Sequence, residues 1–395
     1  MIVAHLSDLH LGYQAYESSQ GGGNLRERDV ARAFQRAVGE IVKIEPDAIV
    51  VAGDVFDRPE PSAGALVTLA RGLENLRSAL PGTPVLMVAG ARDSPRSWGD
   101  PGALAALDTF SNVEAATGTP RSVRIMGGRT HVYLLPHRSV LRHPFPEVRP
   151  DPRARWNILV GYGAVESEGV LRAAASEGEI SPLRIDPSQW DYVAMGHEHD
   201  FRRVGEGVVY SGSLERVGPE PWTEAHRTKG FVVADLEAGD VDFREVAGRP
   251  VVALAPIRWD PERPGRMNER IREVKAEIPG GMEGKIVRLR LEGMGPDELR
   301  QLDGELLSSL RREAMHLAVE VVGSGAEGED FGSRRALLSM LEDRLEAWEG
   351  EREALMEAAE ALLSESSPAR PESTFEEAGP ENRAEERPTP GGTSP

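Results

Sequence analysis

The sequence predicts an α/β fold. Three short apolar segments of strand length, IVAHL from Ile2, AIVVA from Ala48 and TPVLMVAG up to Gly90, alternate with amphipathic helical stretches. Each segment stops abruptly at a polar or glycine-containing turn, where Ser7-Asp8, Gly53-Asp54 and Gly90 follow. Runs that are apolar on both faces suit parallel strands covered on each side, and strand–helix–strand alternation at this spacing gives right-handed crossovers. In such sheets ligands gather at the carboxyl ends of the strands.

The first strand opens the argument. Ile2, Val3, Ala4 and Leu6 are apolar, Ser7 ends the run, and Asp8 and His10 follow two residues apart. Residues so spaced in an extended chain face the same way, so the spacing predicts a carboxylate and an imidazole leaving the strand together. The triplet Gly21-Gly22-Gly23 has no Lys-Ser/Thr after it and reads as an insertion rather than a phosphate cradle. NLRERDVARAFQRAVGEIVK then places Val30, Phe34, Ala37, Val38 and Ile41 on one helical face. A second helix is predicted over 63–80, between the second and third strands.

The middle of the chain turns β-rich. VYLLP, NILVGYGAV, DYVAMGHEHD, GVVYSGSLE, KGFVVADLE and VDFREV read as short strands, enough for a second sheet packed on the first. Beyond Arg249-Pro250 the pattern predicts a helix (267–276), a strand (KIVRLRLEG), a helix (296–312) and a strand (LAVEVV), a small α+β unit. From Ser333 to Leu363 a three-and-four alternation of Leu338, Leu341, Leu345, Trp348, Leu355 and Leu362 predicts one long helix, for docking a partner or its own domain. The tail from Ser364 is rich in Pro, Glu, Ser and Gly and is expected to be disordered.

Composition narrows the chemistry. There is no cysteine among the 395 residues, which removes disulfides, thiolate metal sites and thiol nucleophiles. A metal would have to be held by His, Asp, Glu or Asn. No apolar run approaches a membrane span and no signal-like N-terminus is visible, so a cytoplasmic protein is expected. The net charge of -19 argues against an unspecific nucleic-acid coat. The first 250 residues carry only -7 of it, and bound divalent ions would offset part of that.

Four strand ends supply candidate ligands: Asp8 with His10, Asp54, the turn Gly90-Ala91-Arg92-Asp93, and Gly196-His197-Glu198-His199. Imidazole nitrogen and carboxylate oxygen suit a borderline divalent ion. One such pair is ordinary; its recurrence at successive strand ends is a metal-site pattern. His5 reads as a packed residue, and His131, His137, His143, His226 and His316 have no partner spacing. The arginines between Arg138 and Arg155 could face nucleic-acid phosphates or form a solvated loop.

The order DxH, GDxxD, GARD and GHxH resembles that of the calcineurin-like metallophosphoesterases. SDLHLG, RERDVARAF, GDVFDRPEPS, YSGSLER, KGF and Arg249-Pro250 narrow the resemblance to the SbcD-type exonucleases of double-strand-break repair, over roughly residues 1–320. The resemblance implies a four-layer α/β/β/α sandwich over 1–250, a capping domain over 251–323, a partner-docking helix over 330–363 and a tail over 364–395. It implies a metal-dependent phosphodiesterase acting on DNA ends, usually with two manganese ions, and an SMC-like coiled-coil ATPase as partner of a homodimer. By position, Asp8, His10 and His199 resemble ligands of the first ion, Asp54 the bridging carboxylate and His197 a ligand of the second.

The departures are as informative. The family's GNHD is Gly90-Ala91-Arg92-Asp93 here, so the second-ion Asn is Ala91 and the His assisting the leaving group is Arg92. A further second-ion His is Tyr162. The expected outcome is a single divalent ion, with cleavage reduced or lost. Arg92 and Tyr162 become candidates for phosphate binding, the alternative for Arg92 being a surface pair with Asp93. Two other functions stay open: a non-catalytic DNA-binding scaffold for the ATPase, and a mononuclear phosphoesterase on a smaller substrate.

Overall fold

The computed structural model describes residues 1–323, apart from 17–18, 21–22, 96, 98–99, 142–145, 166–169, 173–181 and 206. The expected docking helix over 330–363 and the tail over 364–395 lie outside the described residues.

The chain begins with four parallel strands, β1 (Ile2–Leu6), β2 (Ala48–Ala52), β3 (Val85–Val88) and β4 (Val113–Ala116), lying side by side in that order. Helix α1 (Leu25–Ile44) connects the first two, and α2 (Ala63–Ala79) the next two. Asn24 caps α1, its side chain accepting from the backbone N–H groups of Arg26 and Glu27, and Ser62 caps α2 through Ala65. The predicted α1 face is the buried one: Val30, Phe34, Ala37, Val38 and Ile41 pack on Ala4, Leu6, Ile49 and Val51 of the sheet.

Six later strands build the second sheet: β5 (Arg121–Ile125), β6 (Thr130–Leu135), β7 (Trp156–Tyr162), β8 (Tyr192–Gly196), β9 (Arg202–Val204) and β10 (Val208–Tyr210), in the order β9-β10-β8-β7-β6-β5. Strands β6, β7, β8 and β10 run parallel to their neighbours in this group. Between β6 and β7 lies a single helical turn, α3 (His137–Val140). The chain then returns to the first sheet, where β11 (Gly230–Asp235) pairs antiparallel with β1, and β12 (Asp240–Glu245) closes that edge.

The two sheets stack face to face. Val3, Val50, Ala52, Leu86 and Val88 of the first meet Val132, Leu134, Ile158, Val160 and Ala194 of the second in one apolar layer. The helices cover the far side of the first sheet. Val140, Ile185 and Trp190 pack on the far side of the second. This is the α/β sandwich the sequence predicts.

Residues 251–322 form a third sheet with a core of its own. Strands β13 (Val251–Ala253) and β14 (Ile257–Arg258) share one edge of β15 (Ile286–Glu292), while β16 (His316–Val322) takes the other, all parallel. Helices α4 (Arg266–Ala276) and α5 (Gly304–Glu313) supply Ile271, Val274 and Leu310 to its core. The continuous helix expected over 296–312 is broken: one turn spans Pro296–Leu299, and a new helix starts at Gly304. The cause is Asp303, whose carboxylate accepts from the N–H groups of Glu305 and Leu306 as an N-cap. Arg249 anchors the start of this region, its guanidinium gripping Asp29 of α1 at 2.5 and 2.6 Å.

Candidate metal centre

The parallel strands of both sheets end at one edge of the sandwich, and the candidate residues sit there. Asp8 and His10 follow β1, Asp54 follows β2, Tyr162 ends β7 and His197 follows β8. The two sheets approach so closely here that a Cβ on Gly196 would run into the Ala52 carbonyl. A Cβ on Gly90 would likewise strike the Asp54 carboxylate. Glycine is the residue that lets these strand ends converge.

The convergence is not the one expected of extended chains. Asp8, His10 and Asp54 all have left-handed backbones, with φ of 51°, 47° and 48°, and His197 has φ 111°. Non-glycine residues held there cost about 1–3 kcal/mol each, and such strain gathers at functional sites. The backbone is fixed by bonds between strand exits: Asp8 N–H to Gly53 carbonyl, 3.0 Å, and His10 N–H to Asp54 carbonyl, 2.9 Å.

Asp8, His10 and His199 each bring a ligand atom within 4.8 Å of the others, the one such trio among the described residues. Asp54 adjoins it, with Oδ2 3.9 Å from His10 Nε2. His10 is prepared for an ion. Its Nδ1 lies 3.0 Å from the Asp57 carboxylate, while Nε2, buried, has no partner among the described residues. A carboxylate behind the ring fixes the tautomer that leaves Nε2 free to ligate. His199 packs edge-on against His10, ring centroids 5.1 Å apart, and its carbonyl is held by Lys229 Nζ at 2.6 Å and Ser213 N–H at 3.0 Å. Lys229 is itself buried and paired to Glu224 at 2.7 Å.

The electrostatics point the same way. Burial, with the nearby Asp54 charge, pushes the Asp8 carboxyl up to about 7, although Ser7 Oγ (2.5 Å) and the His197 N–H (3.1 Å) both donate to it. Burial opposes charge on His10, but the Asp57, Asp54 and Asp8 carboxylates together outweigh it and raise its pKa. Burial, helped by His10 and Lys229, holds His199 down to about 3, a neutral ligating imidazole. Crowded buried carboxylates facing the ring nitrogens of His10 and His199 are a donor set short of a cation. These residues fit one divalent ion.

The neighbouring seat differs. His199 joins the trio, whereas His197 lies against Tyr162, its Nδ1 3.5 Å from the hydroxyl. The Tyr162 hydroxyl donates to Asp54 Oδ2 at 2.6 Å, and the Arg92 N–H donates to Asp54 Oδ1 at 2.7 Å. Both oxygens of the would-be bridging carboxylate are thus engaged by this chain. Burial and the Asp54 charge raise the Tyr162 pKa, so the phenol remains a donor. Asp54, His197 and His137 are the ligating types on this side of the cavity among the described residues, and Ala91 and Tyr162 stand at two positions where the resemblance puts second-ion ligands.

Asp93 settles the alternative for Arg92. It is buried and accepts from the Gly90 and Val55 N–H groups, each at 2.6 Å, and burial with the Asp54 charge pushes its pKa up to about 8. No ion pair of Arg92 occurs among the described residues; the residue is exposed on the rim of the cavity. Of the other arginines proposed for phosphates, Arg138 is buried and donates to the Ser97 carbonyl, Arg149, Arg153 and Arg155 pair with Glu147, Asp151 and Glu237, and Arg142 lies outside the described residues. His5 is buried against the Tyr192 hydroxyl at 3.0 Å, as a packed residue should be.

Two site residues escaped the sequence reading. Asp57 lies three residues after Asp54 in GDVFD, on the line of the predicted turn. His137 lines the same cavity, its ring edge-on to Tyr162 at 5.5 Å. Burial holds it down to about 4.

The sequence profile of the calcineurin-like phosphoesterases matches residues 1–201. Similar proteins include the DNA double-strand break repair protein Mre11 of Methanopyrus kandleri, 26% identical over 326 residues, covering 74% of this chain and 68% of that one. The protein of the same name from Haloferax volcanii is 28% identical over 306 residues, covering 74% and 62%. That from Methanococcus maripaludis is 31% identical over 258 residues, covering 62% and 66%. The chain thus spans about two thirds of the length of these relatives.

Proposed function

Because the chain belongs to the calcineurin-like phosphoesterase family, we propose that it is a DNA-repair phosphoesterase subunit of the SbcD/Mre11 type. It works on phosphodiesters at DNA ends, holds one divalent ion, manganese by resemblance, and cleaves slowly or not at all. The names of its relatives support the repair role. The observation that supports the single ion is the replacement of two second-ion ligand positions by Ala91 and Tyr162, the Tyr162 hydroxyl donating to Asp54 at 2.6 Å.

A bound ion would supply a Lewis acid at a phosphoryl oxygen. Asp8, His10, His199 and Asp54 would hold it, and Asp57 would keep the His10 ring oriented. The Arg92 guanidinium, on the rim without a carboxylate partner among the described residues, would bind a phosphate oxygen through its paired donors. Tyr162 keeps Asp54 in place by donating to it. The position of the family's leaving-group His is Arg92, a poor proton donor, and loss of that transfer alone costs roughly 10²–10⁴-fold in rate.

Domain roles follow from the resemblance: 1–250 as the phosphoesterase, 251–323 as a cap, and 330–363 as a docking helix for an SMC-like ATPase within a dimer. No helix among the described residues is long and apolar enough to cross a membrane.

The test compares manganese-dependent hydrolysis of linear duplex DNA by the parent chain and by the triple variant Ala91→Asn, Arg92→His, Tyr162→His. The parent should be slower by roughly 10²-fold or more. Equal rates would overturn the single-ion reading. Parent binding of DNA ends without turnover would favour the scaffold. Turnover on small phosphodiesters alone would favour the smaller-substrate enzyme.

A further inference from the structure

The cavity in front of the metal centre encloses about 480 Å³ and is lined by His10, Asp54, Arg92, His137, Tyr162 and His199, among others. Nearly all its polar atoms are accounted for by the ion or by one another. Asp54 is engaged by Tyr162 and the Arg92 N–H. His197 faces the Tyr162 hydroxyl. Among the buried side chains of the cavity, His137 stands out. It is 6% exposed, and its Nδ1 is buried with no partner among the described residues.

That orientation is built, not incidental. β6 runs apolar through Val132, Leu134 and Leu135, and Pro136 leads directly into His137. The His137 N–H donates to the Ala89 carbonyl at 2.9 Å, pinning this strand end of the second sheet beside the Gly90–Asp93 turn of the first. The ring is braced edge-on by Tyr162. Most buried polar atoms in folded proteins are paired, so an unpaired ring nitrogen on a residue that lines a cavity points to a place for a ligand atom. Imidazole carries an N–H donor in either charge state.

We propose that His137 is a phosphate-binding residue: with the Arg92 guanidinium it contacts the non-bridging oxygens of a phosphate presented to the metal centre. This rests on the reading above that the cavity takes a phosphoryl group. The two donors stand on the side of the cavity where the second ion's ligands are missing, so positive charge and an N–H donor serve the phosphate there in place of a cation.

The test uses the full chain loaded with Mn²⁺ and inorganic phosphate as the probe, with binding measured by calorimetry. His137→Leu should weaken phosphate binding roughly tenfold or more. His137→Asn, whose amide reaches the place of Nδ1, should recover most of it, and Mn²⁺ affinity should change less than twofold in both. In the parent chain, histidine-selective ¹⁵N spectra should show the His137 ring signal moving on phosphate addition. Unchanged phosphate affinity in His137→Leu, or an unmoved ring signal, overturns this role and leaves the proposed function standing. A parent chain that binds Mn²⁺ but no phosphate, or no Mn²⁺ at all, overturns both.

Discussion

The two halves of the strand-end cavity are built from similar materials to opposite effect. On the β1 side, Asp8, His10 and His199 present ligand atoms to a common point, and the buried His10 Nε2 is left without a partner. On the β7 side, Tyr162 and the Arg92 N–H consume both oxygens of Asp54, and Ala91 offers nothing to an ion. The first half is short of a positive charge; the second supplies its own donors. On the function proposed above, loss of a metal seat need not leave a hole. A phenol and a backbone N–H close it while the fold around it, down to the glycines at positions 90 and 196, stays as close-packed as a metal site demands.

The contrast breaks most visibly at His10. His10→Ala removes a ligand and should lower Mn²⁺ affinity by more than about 100-fold, beyond the range for outer partners, as titration calorimetry would read. The triple variant Ala91→Asn, Arg92→His, Tyr162→His should turn the closed half into an open one and raise bound Mn²⁺ from one to two per chain. An unchanged count would mean that Tyr162 is not what closes the seat. Asp57→Asn leaves every ligand in place and loosens only the His10 ring, so Mn²⁺ affinity should fall about 10–100-fold.

The smallest effect is on stability without the ion. The folded Asp8 carboxyl stands at about 7, above its ordinary 3.8, so the folded state holds the proton more tightly than the unfolded chain. That contribution is present in full below the ordinary value and is lost as pH rises through about 7. Asp8→Asn cannot lose it. In chelator, the melting temperature of the variant should gain on the parent as pH rises from 4 to 8, by on the order of 5 °C. A constant gap would show that Asp8 carries no penalty.

Much of this was legible in the sequence because it rests on periodicity. Apolar runs such as Ala48–Ala52 and the face Val30–Phe34–Ala37–Val38–Ile41 announce buried strands and a packed helix, and polar residues just beyond the runs announce the site. Alternation along an extended chain predicts that Asp8 and His10 act together, which they do, but through left-handed backbones that no pattern encodes. His199 joins them as well, while the ring of His197 packs edge-on against Tyr162. His137 follows the apolar run of β6 as Asp8 follows that of β1, so the strand-end rule applied to VYLLP would have nominated it. Spacing to another histidine was the wrong criterion, since its neighbours in the site come from other strands. The break at Asp303 was hidden because a capping carboxylate and a helical carboxylate look alike in sequence.

Everything above turns on how many ions the parent chain holds. Equilibrium dialysis against Mn²⁺, read with its electron paramagnetic resonance spectrum, answers this directly. The predicted result is one ion per chain with the spectrum of an isolated Mn²⁺ centre. Two ions per chain with a spin-coupled spectrum would contradict it and would restore Tyr162 and Arg92 to bystanders.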